Sequence, residues 1–83
     1  MNVNEKIIQL GEGLKERIDP SLVSFALEYI GFGENILAFE TLCDQIADHD
    51  ILLSKDEYLR VLEIVSVLNL EMNSRYTYIN PEK

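Results

Sequence analysis

The chain has 83 residues, 47% of them hydrophobic, and a formal net charge of −8. That is enough apolar material for one modest core and argues against disorder. The acidity excludes ordinary nucleic-acid binding, which needs a basic footprint. A single cysteine, Cys43, excludes an internal disulfide and a cysteine-based zinc site.

In chain order, Val3, Ile7, Leu10, Leu14 and Ile18 recur at helical spacing and form one stripe. Gly11 and Gly13 lie inside this stripe. Each weakens a helix by about 1 kcal/mol relative to Ala, or lets a second backbone come close. Asp19-Pro20 reads as an N-cap followed by the first helical residue. From Leu22 to Ile30 the chain is apolar around most of its circumference, with Ser21, Ser24 and Glu28 on the wet side. Gly31 and Gly33 end it.

A third helix is expected from Glu34, whose charge suits a helix start. Its apolar face is Ile36, Phe39, Leu42, Cys43, Ile46 and Ala47; Glu40, Asp44 and Asp48 lie opposite, with Leu37 and Thr41 among them. The chain breaks at His49-Asp50. Ser54 and Glu57 form a capping-box pattern ahead of a helix from Lys55 to about Leu70. That helix is apolar enough to be placed at the centre of the bundle, with Tyr58 in its core. The remainder, about residues 72–83, has weak extended character and either packs on the body or frays. The expected fold is all-α: one domain, 1–83, a bundle of about four helices with short loops and a polar tail.

The polar inventory is poor for catalysis. One histidine and one cysteine make no nucleophile–base–orienter set. Asp48-His49-Asp50 lacks the alternating ligands, glycine and late glutamate of a calcium loop and reads as a helix end. Asp19-Pro20-Ser21-Leu22 departs from the Asp-Ser-Leu attachment motif of acyl carrier proteins because Pro20 intervenes. The chain therefore reads as a non-enzyme with no cofactor and no metal.

Between Arg17 and Lys55 there is no Lys or Arg, while Asp19, Glu28, Glu34, Glu40, Asp44, Asp48 and Asp50 all fall there. Such a field raises the energy of the folded state and speeds the encounter with a basic partner. Leu37 between Glu40, Asp44 and Asp48 has the anatomy of an anchor with a charged rim, unless it tucks against the first helix or the tail. Asp48 and Asp50 sit at a helix end, where the dipole disfavours anions, which suggests use. Glu34 and Glu28 rank lower. Tyr76 and Tyr78, beside Arg75, are further contact candidates because tyrosine buries area at low entropic cost.

The segment Gly33-Glu34-Asn35-Ile36-Leu37-Ala38-Phe39-Glu40-Thr41-Leu42, followed by Leu53-Ser54-Lys55-Asp56-Glu57-Tyr58, resembles the MafI-like immunity proteins of bacterial polymorphic toxin systems. Relatives of that family serve contact-dependent growth inhibition. The resemblance covers roughly residues 27 to 70. It implies a cytoplasmic antidote that binds one cognate toxin C-terminal domain, basic and often a nuclease (RNase before DNase), and blocks it. The Asp-Tyr-Tyr-Pro recognition segment of colicin-type DNase immunity proteins is absent. Neither nucleic acid nor membrane is expected as a partner, and a monomer is favoured over a homodimer. The alternative is a non-enzymatic adaptor or regulatory bundle acting through the apolar surface of the first and last helices, on a protein partner or a second copy.

Overall fold

Among the residues described by the computed structural model, 2–82, the chain is all-helical: α1 (Val3–Leu14), α2 (Pro20–Gly31), α3 (Asn35–Asp48), α4 (Lys55–Val67) and the single turn α5 (Ser74–Thr77). Met1 and Lys83, the ends of the expected domain, lie outside the described residues. The element order, the short connections and the starts of α1, α2 and α4 follow from local chemistry. Asn2 caps α1 by accepting from the Glu5 N–H at 2.9 Å, and Asp19 caps α2 by accepting from the Ser21 N–H. The Asp19 carboxyl, hydrogen-bonded first by that N–H and then by the Ser21 hydroxyl, is held below the usual carboxylate range. Ser54 and Glu57 form the reciprocal capping box expected at the start of α4.

The α1 stripe buries Ile7, Leu10 and Leu14. The helix ends at Leu14, earlier than the stripe extended to Ile18 implies, because residue 19 must be extended to lead into Pro20. Ile18 is buried all the same; its N–H still donates to the Leu14 carbonyl, so the turn keeps the side chain over the core. Gly11 is a point of close approach. A Cβ there would come within 3.1 Å of the Leu27 side chain of α2, so the end of that side chain would have to give by a few tenths of an ångström.

α2, α3 and α4 end in the same device. At Gly33, Asp50 and Asn69 the backbone turns left-handed, with φ of 75°, 50° and 58°. The following N–H reaches back to the carbonyls of Tyr29, Ile46 and Val65 respectively. This is the Schellman arrangement, which satisfies the last carbonyls of a helix and fits Gly, Asn or Asp best. α4 therefore stops at Val67 rather than Leu70.

Two expectations about packing are corrected. α4 is not central: it packs principally on α1, whereas α1 touches α2, α3 and α4. Leu59 and Val67 of α4 are exposed, because the apolar residues of α4 spread round more of the helix than one neighbour can cover. The tail is not extended. Asn73 caps α5 through the Arg75 N–H, and α5 packs on α3. Tyr76 is only 1% exposed and stacks on Phe39, with centroids 5.7 Å apart and planes 15° from parallel. Tyr58, buried as expected, donates its hydroxyl to the Tyr76 carbonyl at 3.0 Å. The tail thus closes one side of a core that four helices leave open.

Arg17 ties the end of α1 to the start of α4. Its guanidinium donates to the Gly13 carbonyl at 2.9 Å and to both carboxylate oxygens of Glu57, the first at 3.0 Å. The Arg17 hydrogen bond, helped by the Ser54 N–H and opposed by burial, holds the Glu57 carboxyl below its ordinary value. A depressed carboxyl contributes stability that is full above the unfolded value of about 4.3 and is lost as pH falls through the lowered folded value. Urea unfolding from pH 6 to pH 3 is expected to show this loss in the native chain, and Glu57→Gln is expected to flatten that part of the profile. Truncating Tyr76 to Ala should cost about 3–5 kcal/mol, as for a buried aromatic in a closed core, read by the same unfolding. A loss below 1 kcal/mol would mean that the tail is not part of the core.

Candidate protein-binding surface

The outward side of α3 is where the expected site residues concentrate. Phe39, Leu42, Cys43 and Ile46 turn inward and are fully buried, and burial pushes the Cys43 thiol up out of reactive range. Ala38, not assigned to the apolar face from sequence, joins them; Ile36, assigned to it, is instead exposed at the first turn. Leu37 is 40% exposed and does not tuck under the tail or α1. Thr41 bonds back to the Leu37 carbonyl at 2.7 Å, which occupies its hydroxyl within the helix.

The acids of this face are not all unpaired, as the base-free middle of the sequence suggests. Arg75 of α5 lies across them, its Nε 2.9 Å from an Asp44 oxygen and its Nη1 2.8 Å from a Glu40 oxygen. Glu40 is half-buried under this contact and Asp44 stays exposed. Their partner comes from 31 and 35 residues along the chain, delivered by the docking of Tyr76, so no local pattern signals it. Glu28, Glu34, Asp48 and Asp50 are exposed and make no ion pair among the described residues. Glu34 stands at the N-cap of α3 without a side-chain capping bond, so capping does not account for its carboxylate.

Asp50 has a backbone reason to be where it is, since its left-handed conformation is one that Asp tolerates. The Asp48-His49-Asp50 segment is the helix end expected, with His49 Nδ1 2.9 Å from the Gln45 carbonyl. Asp50 and Tyr78 border one open cleft of about 150 Å³, with Ile46, Leu52, Ile79 and Pro81. Tyr78 is half exposed there. Tyr76 is removed from the surface altogether: it was expected at an interface, and its ring fills the core against Phe39. Tyr76 and Tyr78 differ because one helical turn, rather than a strand, sets their directions.

Sequence reasoning missed the outer side of α2. Val23 and Ala26 are buried, but Phe25 is 53% exposed and Phe32 79%. Leu22 is also exposed, and Phe25 meets Tyr29 edge to face with centroids 5.6 Å apart. The signal was present as Leu22, Phe25, Tyr29 and Phe32 at helical spacing beside Glu28. It reads equally well as core until the tertiary structure shows which flank is covered. Among the described residues no group of three or more His, Cys, Asp or Glu converges to hold a metal ion. No helix among them is long and apolar enough to cross a membrane.

Comparison of the chain with protein-family models, with curated proteins and with solved structures finds no match.

Arg75 occupies the cation position on Glu40 and Asp44. Replacing Arg75 by Ala should lower stability by about 1 kcal/mol, the scale of a partly exposed ion pair, and free both carboxylates. Association with a basic partner is then expected to quicken several-fold at low salt, followed by stopped-flow fluorescence. An unchanged rate would show that these two acids play no part in the encounter.

Proposed function

We propose that the chain is an immunity protein: an antidote that binds a cognate bacterial toxin domain, a nuclease by preference and an RNase before a DNase, and neutralises it by covering its basic surface. The observation that carries this reading is the set of carboxylates without ion pairs among the described residues, Glu28, Glu34, Asp48 and Asp50, on α2, α3 and their flanking turns, where the sequence supplies no base. A nuclease holds the phosphate backbone in a cationic cleft, so an inhibitor gains by presenting carboxylates in place of phosphates. Attraction of this kind lifts association towards about 10⁸–10⁹ M⁻¹s⁻¹ at low salt, and speed matters against a toxin that acts once free. The resemblance of Gly33–Leu42 and Leu53–Tyr58 to the MafI-like immunity proteins supports the same reading and a cytoplasmic site of action. So does a polar inventory that offers no catalytic set.

A second reading, an adaptor or a homodimer, is favoured by the exposed Leu59 and Val67 of α4. Sedimentation at several concentrations separates the two, since a concentration-dependent dimer supports the second.

Co-expression in bacteria with the C-terminal domain encoded immediately upstream tests the first reading. Rescue of growth together with co-purification is expected; toxicity that this chain fails to relieve would overturn it. Glu28→Lys with Asp48→Lys should slow association about tenfold at low salt and leave the helical signal intact, because both side chains are exposed and neither carboxylate forms an ion pair among the described residues. Equal rates would remove both from the binding surface.

A further inference from the structure

The acids explain how a basic partner is attracted, but charged rims contribute mainly to encounter; affinity comes from buried aromatic and apolar anchors. On α3 the exposed apolar residues are Ile36 and Leu37, both aliphatic and both in its first turn. On α2 there is a continuous ridge. In helical projection Phe25 and Phe32 stand opposite the buried Val23 and Ala26, and Leu22 and Tyr29 lie on the flank that faces α3. The Gln45 side chain crosses to the Leu22 carbonyl at 2.9 Å and fixes that flank against α3, the helix with which α2 packs most extensively. The edge-to-face contact of Phe25 with Tyr29 holds two of the rings in register. Isolated exposed apolar residues are ordinary. Three exposed ones, Leu22, Phe25 and Phe32, at helical spacing along α2 and its C-cap, two of them phenylalanines more than half exposed and one backed by the half-buried Tyr29, form a patch of the kind that marks an interaction site.

Resting on the immunity reading, we infer that this ridge, Leu22–Phe25–Tyr29–Phe32, is the anchor that inserts into an apolar depression on a cationic protein partner, with Glu28, Glu34 and Asp48 as its charged rim. The charges choose the occupant. Neither α2 nor α3 carries a Lys or Arg, so a second copy laid ridge on ridge sets Glu28 against like charge. Anionic lipid and nucleic acid are repelled for the same reason. A protein whose Lys or Arg side chains flank an apolar pocket meets both features of the face at once. The anchor and the attraction therefore lie on adjacent helices, and the dominant contribution to affinity comes from α2 rather than from Leu37.

The test measures binding of the purified full chain to the upstream-encoded toxin domain, comparing the native chain, Phe25→Ser/Phe32→Ser and Leu37→Ser. Both rings lie outside the core, so the double variant should keep its helical signal and melt within a few degrees of the native chain. It is expected to lose affinity about a hundredfold or more, mostly as faster dissociation, and to fail in the growth-rescue assay, while Leu37→Ser changes affinity by less. Tight binding by the native chain with near-native binding by the double variant overturns the anchor and leaves the immunity reading standing. A native chain that neither binds nor protects overturns the immunity reading, and the inference with it. A native homodimer in sedimentation equilibrium that Phe25→Ser/Phe32→Ser dissolves overturns the inference alone, since the occupant is then a second copy.

Discussion

The apolar stripe of α1 is the constraint on which the structure depends. Ile7, Leu10, Gly11 and Leu14 are its buried residues, and α2, α3 and α4 all pack on this helix. A chain of this size has one core and no surplus with which to build a second. Twelve residues of α1 must therefore meet three neighbours. Gly11 eases this on one side by leaving room for the Leu27 side chain of α2. Arg17 secures the other by joining the carboxyl-terminal end of α1 to the capping box of α4.

That economy has consequences for the outer elements. α4 touches chiefly α1 and keeps part of its apolar circumference in water. The side of the core beyond α3 is closed by the tail, through Tyr76 on Phe39 and Tyr58 on the Tyr76 carbonyl. Docking the tail also brings Arg75 onto Glu40 and Asp44. Packing and electrostatics are thus coupled at one point: the residue that neutralises part of the acidic face is positioned by the aromatic ring next to it. The carboxylates left without an ion pair among the described residues, Glu28, Glu34 and Asp48, lie on α2, at the start of α3 and at its end, and α2 also carries the exposed Phe25.

An acidic surface and an aromatic ridge do different physical jobs. Long-range attraction acts before contact and weakens with salt. Apolar burial acts only at contact and holds the complex together. The immunity reading needs both, because an antidote must arrive quickly and then remain bound. They lie on neighbouring helices joined by the short turn at Gly33, which on the immunity reading puts both within reach of a single partner surface.

The helical class, the caps at Asp19 and Ser54, the stops near Gly33 and Asp50 and the inward face of Phe39, Leu42, Cys43 and Ile46 were legible in the sequence. Each depends on residues within a few positions of one another: a side-chain oxygen near a free N–H, a left-handed backbone that suits Gly, Asn or Asp, or apolar residues at the helical repeat. The exposed Leu37 and the acids around it followed from the same periodicity. Which helix is central, the burial of Tyr76, the pairing of Arg75 with Glu40 and Asp44, and the exposure of Phe25 and Phe32 were decided only in three dimensions. An apolar helix does not announce how many neighbours will cover it, and a basic residue in the tail gives no local sign of acids more than thirty residues away. Local hydrogen bonding and periodicity are written along the chain, whereas burial is settled by competition among all the helices for one small core.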